Sequence, residues 1–437
     1  MLGGGTFTSQ NKKLPGTYIN FVSKAMASSA LSDRGILTMP FEFDWAPSGV
    51  FKVTPEDIQK NCKAIFGYDY NDAKLWQIRE IFASPVRILY AYRLNGEGVK
   101  ATCTYGTAKY AGIRGNDLKI VIAANADDNT KWDVSAYLGA EKVDEQIKVA
   151  NAAALVDCAY IDYDKTATLA ATAGTALAGG TNSTVTGTNY SAYLAAIEPY
   201  SFNIIGVPTT DAATNALVKA FVYRMREQVG VKFQAVLYNY AGDYEGVINV
   251  GSRAVHSPAA DNADLVYWVS GAEAACAVNA SLMNKVYNGE LEVDASLTQS
   301  QLEAAIDAGK FVFHRMGDEV RTLLDINSLL TDTAEKSQES FRENQAIRVL
   351  DQIANDIAVL FNTKYVGAVP NDEAGRVSLW GDIVKHHQEL QAIRAIDSFT
   401  DEDVKVSKGT ARDAVVVEDA ISIIGAMAKL YMTITVA

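Results

Sequence analysis

The residue types that could carry chemistry are few in this chain and poorly spaced for it. A P-loop needs GxxxxGK[ST], because its Lys reaches the phosphates and its Ser or Thr holds Mg²⁺. The nearest stretch, Gly246-Val247-Ile248-Asn249-Val250-Gly251-Ser252-Arg253, has Ser where that Lys is required and reads as a β-strand and turn. Neither a GxSxG nucleophile elbow nor a GxGxxG fingerprint occurs. Of the four histidines, only His386 and His387 are neighbours, and adjacent helical residues point in different directions. His386 falls in the apolar series Leu379, Ile383, His386, Leu390, Ile393, which makes it a core-edge or interface histidine. His314 closes a strand and His256 precedes a Ser-Pro turn, neither with a chemical partner in view. Asp401-Glu402-Asp403 and Asp127-Asp128 lack the ligand spacing of a calcium loop and read as a helix start and a turn. Cys62, Cys103, Cys158 and Cys276 are scattered, without a CxxC pair, as buried thiols would be. The expectation is no catalytic residue, no metal and no cofactor.

The elements that surround these residues belong to an ordinary globular chain. It has 437 residues, 49% hydrophobic and 21% charged, with 39 basic and 52 acidic side chains giving a net charge of −13. At roughly 150 residues per domain this length predicts about three domains. The acidic balance argues against nucleic acid as partner, since phosphate neutralisation needs clustered Lys and Arg. The start, Met1-Leu2-Gly3-Gly4-Gly5-Thr6, lacks the regions of a signal peptide, and the apolar stretch 415–437 is broken by Glu418, Asp419 and Lys429. Cytoplasmic synthesis without membrane insertion is expected.

Periodicity places the elements. Thr17–Val22 is a short β segment behind a glycine-rich start, and Gly35–Met39 a buried strand. Thr54-Pro55-Glu56-Asp57 opens a helix, with a capping residue, Pro at the first helical position and acids in the first turn. A helix over 73–82 and a strand over 86–92 follow. Lys119–Ala124 is a strand, and Thr166–Tyr190, almost wholly Thr, Ala, Gly, Ser and Asn, reads as an exposed linker after a β-rich insertion. Strands at 202–208, 233–238, 246–250 and 265–269 alternate with helices at 211–229, 270–282 and 298–308, which implies a parallel or mixed sheet. Ile347, Leu350, Ile353, Ile357 and Leu360 make one amphipathic helix, and Leu379, Ile383, Leu390 and Ile393 another. At the end, Leu430, Met432, Ile434 and Val436 alternate with Tyr431, Thr433 and Thr435 as a β-strand does.

Three stretches resemble the contractile tail sheath proteins of phages, defective prophages and R-type bacteriocins of Gram-positive hosts. They are Leu2–Phe7 with Leu14–Phe21, then Ala111-Gly112-Ile113-Arg114-Gly115-Asn116-Asp117-Leu118, and a C-terminal set. That set comprises Asp325–Leu329, Arg348–Ile357, Val366-Gly367, Gly375-Arg376, Glu418–Ala420 and Lys429–Val436. The resemblance implies a multidomain, mixed α/β (α+β) protein. Its expected parts are an N-terminal arm (1–22), a discontinuous central α/β domain (23–94 and 191–330) and a β-rich insertion (95–190). A C-terminal α/β inner domain (331–428) and a C-terminal strand arm (429–437) complete it.

By the same resemblance the chain is a virion-tail or tail-like-particle component, assembled in the host cytoplasm. It polymerises as stacked hexameric rings around a tail tube and contracts to drive that tube through a cell envelope. Its partners are itself, the tube protein, and baseplate and tail terminator proteins. Tyr18, Ile19 and Phe21 in one arm, and Leu430, Met432, Ile434 and Val436 in the other, would add strands to neighbouring subunits. Arg342, Arg348, Asp351 and Asp356 are candidates to face the tube. Residues 331–437 hold 11 basic and 17 acidic side chains, a net −6, which predicts a basic tube surface. The alternatives are another self-assembling shell or tube protein, or a soluble α/β enzyme.

Overall fold

The computed structural model of the chain describes residues 31–255 and 262–436. The expected N-terminal arm, with Tyr18, Ile19 and Phe21, and His256 lie outside the described residues. The chain divides into two compact units, a larger one of residues 32–354 with 423–436 and a smaller one of 355–422.

Seven strands make the central sheet of the larger unit. They are β1 (Ile36–Phe41), β2 (Gly49–Val53), β3 (Ile88–Arg93), β4 (Ile204–Val207), β5 (Gln234–Tyr238), β6 (Val247–Val250) and β7 (Lys310–Phe311). Their spatial order is β7-β6-β5-β4-β1-β3-β2, parallel throughout except that β2 runs antiparallel to β3. The runs Ile-Ile-Gly-Val in β4 and Val-Ile-Asn-Val in β6 are wholly buried, as strands covered on both faces must be. Period two splits their side chains between two cores. Ile204, Val236 and Ile248 face one, and Ile205, Leu237 and Val247 the other.

Helices cover both faces. α1 (Pro55–Phe66) starts with a reciprocal capping box between Thr54 and Asp57 and stops at Gly67, whose φ of 77° suits glycine. α2 (Trp76–Phe82), α3 (Gly187–Ile197) and α4 (Ala212–Tyr223) follow, and the turns of α4 continue, widened, through Val229. α5 (Leu265–Ala275) corrects the expected strand at 265–269 and helix at 270–282. Residues 265–274 are all buried, so the run shows no helical stripe, and a continuous apolar run reads alike for a buried strand and a buried helix. Gly271 permits this placement, because a Cβ there would lie 2.3 Å from the Ile81 carbonyl oxygen. α6 (Gln299–Asp307) carries the expected Thr298–Gln301 capping box.

The insertion is built from two antiparallel sheets. One contains the strands Leu118–Ala124, Trp132–Leu138, Glu141–Val149 and Thr172–Ala176; the other contains Thr102–Cys103, Gly106–Ala108 and Ile161–Tyr163. This corrects the reading of 166–190 as a linker. Thr175 pairs with Ile120, Leu169 and Leu177 are buried, and Thr186 caps α3. Small Thr and Ala side chains carry little hydrophobic signal, yet their backbone closes the sheet like any other.

α7 (Asn344–Leu360) begins in the larger unit and ends in the smaller. The smaller unit adds α8 (Glu373–Ala392) and a hairpin of β8 (Val404–Lys408) and β9 (Val415–Asp419). Residues 424–436, which hold the described part of the strand expected over 429–437, contain no regular element. Alternation makes a strand possible, but only a hydrogen-bonded neighbour makes one, and among the described residues no strand pairs with this segment.

Candidate functional site

The C-terminal segment is held at its root and bare beyond it. The Gln345 side chain, at the start of α7, donates to the Ile424 carbonyl at 2.9 Å and accepts from the Ala426 amide at 3.2 Å. Past that clasp, Met427 is fully exposed, and Leu430, Tyr431, Met432, Ile434 and Val436 remain between 70% and 90% exposed. Large apolar side chains in that density on one segment mark a surface meant for burial elsewhere. The smaller unit offers a matching feature. Its β8–β9 hairpin is a two-stranded sheet with exposed Val416 and Val417, beside a groove of about 590 Å³ lined by Phe361, Tyr365, Pro370, Leu379 and Val415.

The Gly112–Asp117 segment seats the insertion on the central sheet. Arg93, on β3, is buried and donates to the carbonyls of Ala46 and Ala111 at 2.9 and 2.7 Å and to the Asn182 side chain at 3.4 Å. Burial pulls its guanidinium down to about 10, opposed by the Asp44 carboxylate. Asn182 donates in turn to Asp44 at 3.0 Å and accepts from the Ile113 amide at 3.3 Å. Gly112 adopts φ 128°, and a Cβ there would sit 2.1 Å from the Asp44 carbonyl oxygen. Arg114 lies over the Tyr68 ring at 4.4 Å and donates to the Gly67 carbonyl at 3.0 Å, which explains its place in the segment. Trp45 passes from the central domain into the insertion's core, edge-on to Tyr110.

A buried charge cluster fixes the first half of α7. Arg348 pairs with Glu273 of α5 at 2.6 Å and with Asp325 at 3.3 Å, and donates to the Ala280 carbonyl at 2.6 Å. Asn344 donates to Asp325 at 2.8 Å and to Glu273 at 3.3 Å, while Asp325 also accepts from the Leu282 amide at 2.9 Å. Burial, then the Asp325 charge, push the Glu273 carboxyl up to about 8 against the pull of Arg348. For Asp325 burial acts upward too, but Arg348 and the donors around it win and hold its carboxyl below the ordinary range. Arg226 and Asp351 form a second buried pair, bidentate at 2.6 and 2.8 Å.

The structure gives all four tube-facing candidates contacts within this chain. Arg348 and Asp351 are buried in the ion pairs just described. Asp356 is paired with buried His386 at 3.0 Å within the smaller unit. Arg342 is half-buried, its guanidinium donating to Gln338 at 3.3 Å and to the Ile306 carbonyl. Charges at three- and four-residue spacing look alike whether they meet solvent or a buried counter-ion, so the sequence offered no way to tell. His387, buried as well, meets Asp419 at 2.8 Å. His314 is half-buried on a hairpin strand (Phe313–Met316). The four cysteines are free, Cys62 and Cys276 buried and the other two half-buried. Among the described residues no group of three His, Cys, Asp or Glu could hold a metal ion, and no helix is long and apolar enough to cross a membrane.

Comparison with known proteins reads the same way. Three domain families match consecutive parts of the chain: the phage tail sheath protein beta-sandwich domain at 96–182, the central domain at 183–328 and the C-terminal domain at 336–437. The chain is 32% identical to the phage-like element PBSX protein XkdK of Bacillus subtilis over the full length of both. It is 35% identical to the crystal structure of a sheath tail protein from Desulfitobacterium hafniense, with a TM-score of 0.80 over 93% of this chain and 96% of that one. The fold extends to the helical sheath of the anti-feeding prophage in its contracted state, at 13% identity and a TM-score of 0.58 over 97% and 99% of the two chains.

Proposed function

The chain belongs to the phage tail sheath protein family, and from that premise we propose that it polymerises as stacked hexameric rings around a tail tube and contracts to drive the tube through an envelope. The observation that carries the reading is the C-terminal segment. Six large apolar side chains between Met427 and Val436 stand exposed on a stretch that alternates like a strand and pairs with no strand among the described residues. Added to the β8–β9 hairpin of another copy, the segment would satisfy that hairpin's free edge. Each ladder hydrogen bond contributes about 0.5–1.5 kcal/mol net, and ordering the segment costs about 1–2 kcal/mol per residue. One link is therefore modest, and a lattice of many identical links is durable. Such a tether lets subunits rotate and move outward without losing neighbours. The anti-feeding prophage sheath, which shares the fold, is a helical sheath with a contracted state, and this supports two lattice packings here. The tube protein and, at the ends, baseplate and terminator proteins are the remaining partners in this reading.

Deleting residues 427–437 tests it. The truncated chain is expected to stay folded and soluble, with an unchanged melting temperature, and to form no tubes in negative-stain images. Long ordered tubes from the truncated chain would sink the tether mechanism.

A further inference from the structure

One turn of α7 joins the buried charge cluster to the root of the C-terminal segment. Asn344 and Arg348 hold Glu273 and Asp325. Gln345, between them in sequence, holds Ile424 and Ala426. The charges inside do not balance if both acids ionise. Glu273, Asp325 and Arg348 are each less than 5% exposed, and two carboxylates would face one guanidinium. A net charge left in such a place is strongly disfavoured, and two coupled acids relieve it by keeping one proton.

The groups that face Glu273 come from each element packed around it. Cys276, beyond the end of α5, has its thiol pushed up to about 11 by burial and adds no charge near neutrality. Asp325 contributes one negative charge, Arg348 of α7 one positive charge, and Asn344 only donors. Arg34, ahead of β1, brings a second cation to the edge; its Nε donates to the Cys276 carbonyl at 3.2 Å, and burial, then the Arg348 charge, pull its guanidinium down to about 10.

We propose that Glu273 carries a proton while the C-terminal segment is clasped, and that loss of this proton to solvent at alkaline pH loosens the first turn of α7 and frees the segment's root. The step is a single dissociation: the carboxyl O–H bond breaks, water takes the proton, and the Glu273–Asp325–Arg348 triad passes from neutral to a net charge of minus one. Asp325 and Glu273 then repel across the guanidinium. Gln345 rides on the same turn, so its two bonds to 424 and 426 loosen with it. The carboxyl held at about 8 fits release in that range, and the direction follows: the clasp is whole below it and lost as pH rises through it. The tether role of the segment rests on the function proposed above; the clasp itself does not, so its test uses the unassembled full-length chain.

Hydrogen–deuterium exchange at about pH 6.5 and about pH 9.5, corrected for intrinsic rates, reads the clasp at the Ala426 amide. Protection in the wild type is expected to fall about tenfold between the two, and to hold constant in Glu273→Gln. Asp325→Asn leaves Glu273 and Arg348 as a balanced pair and is expected to hold constant too. The wild type alone gives an independent reading: an infrared band of a buried protonated carboxyl, titrating away near pH 8. Equal protection at both pH values, an unaltered fall in both variants, or no such band overturns the proposal. Tubes formed by the 427–437 deletion would instead count against the tether and leave the clasp standing.

Discussion

At the scale of single residues, the charges that matter are those the fold hides. Arg226 and Asp351 are both more than 90% buried. Asp351→Ala strands the Arg226 guanidinium, and is expected to cost about 3–5 kcal/mol in urea denaturation, whereas replacing both by apolar residues of similar volume restores much of it. Glu273 gives the fold a signed dependence on pH. Its folded carboxyl binds a proton up to about 8, while the unfolded one releases it in the ordinary carboxylate range. Between those limits the native state holds more protons, so stability falls as pH rises, by at most ~1.4 kcal/mol per pH unit. Asp325, held low, acts oppositely: its contribution is present above its unfolded range and is lost on acidification. Denaturation at a series of pH values is expected to show that fall between the ordinary carboxylate range and about pH 8 in the wild type and a flatter profile in Glu273→Gln. That Arg348 and Asp351 belong to a stretch resembling the sheath family was legible in the sequence. Their burial was not, because no local pattern records which counter-ion a charge will meet across 75 or 125 residues.

At the scale of elements, legibility followed how local the cause is. The Thr54–Asp57 capping box and the Thr298–Gln301 box are written in four consecutive residues, and both helices begin where those residues say. Thr54→Ala is expected to lower stability by about 1 kcal/mol, read from the thermal midpoint. α5 was misread, since a helix buried all round carries no stripe. The strand Thr172–Ala176 was missed because its partner, Leu118–Ala124, lies some fifty residues earlier and supplies the reason for it. Gly112 is where the insertion locks onto the sheet. Gly112→Ala, at φ 128° and against the Asp44 carbonyl, is expected to cost about 1–3 kcal/mol and to raise proteolysis at the junctions near 98 and 181.

At the scale of the whole molecule, the function proposed above makes the chain part of a lattice. The last quarter carries a net −6, and docking to a basic tube surface is expected to weaken several-fold between low and moderate salt, as co-sedimentation of sheath with tube would report. Binding indifferent to ionic strength would remove charge from the account. The family is that of phage tail sheath proteins, and in the proposed function its surfaces meet other copies.

The sequence by itself determined the class of each locally coded element, the alternation of the last residues and the family, since these rest on period, capping and short ordered motifs. Tertiary structure alone decided which charges are buried, that 265–275 is a helix, that 172–176 closes a sheet, and that Gln345 clasps the C-terminal segment. The physical reason is the same in each case. Burial, pairing and the proton on Glu273 depend on what chain-distant residues bring to one place, and such a neighbourhood exists only once the chain has folded.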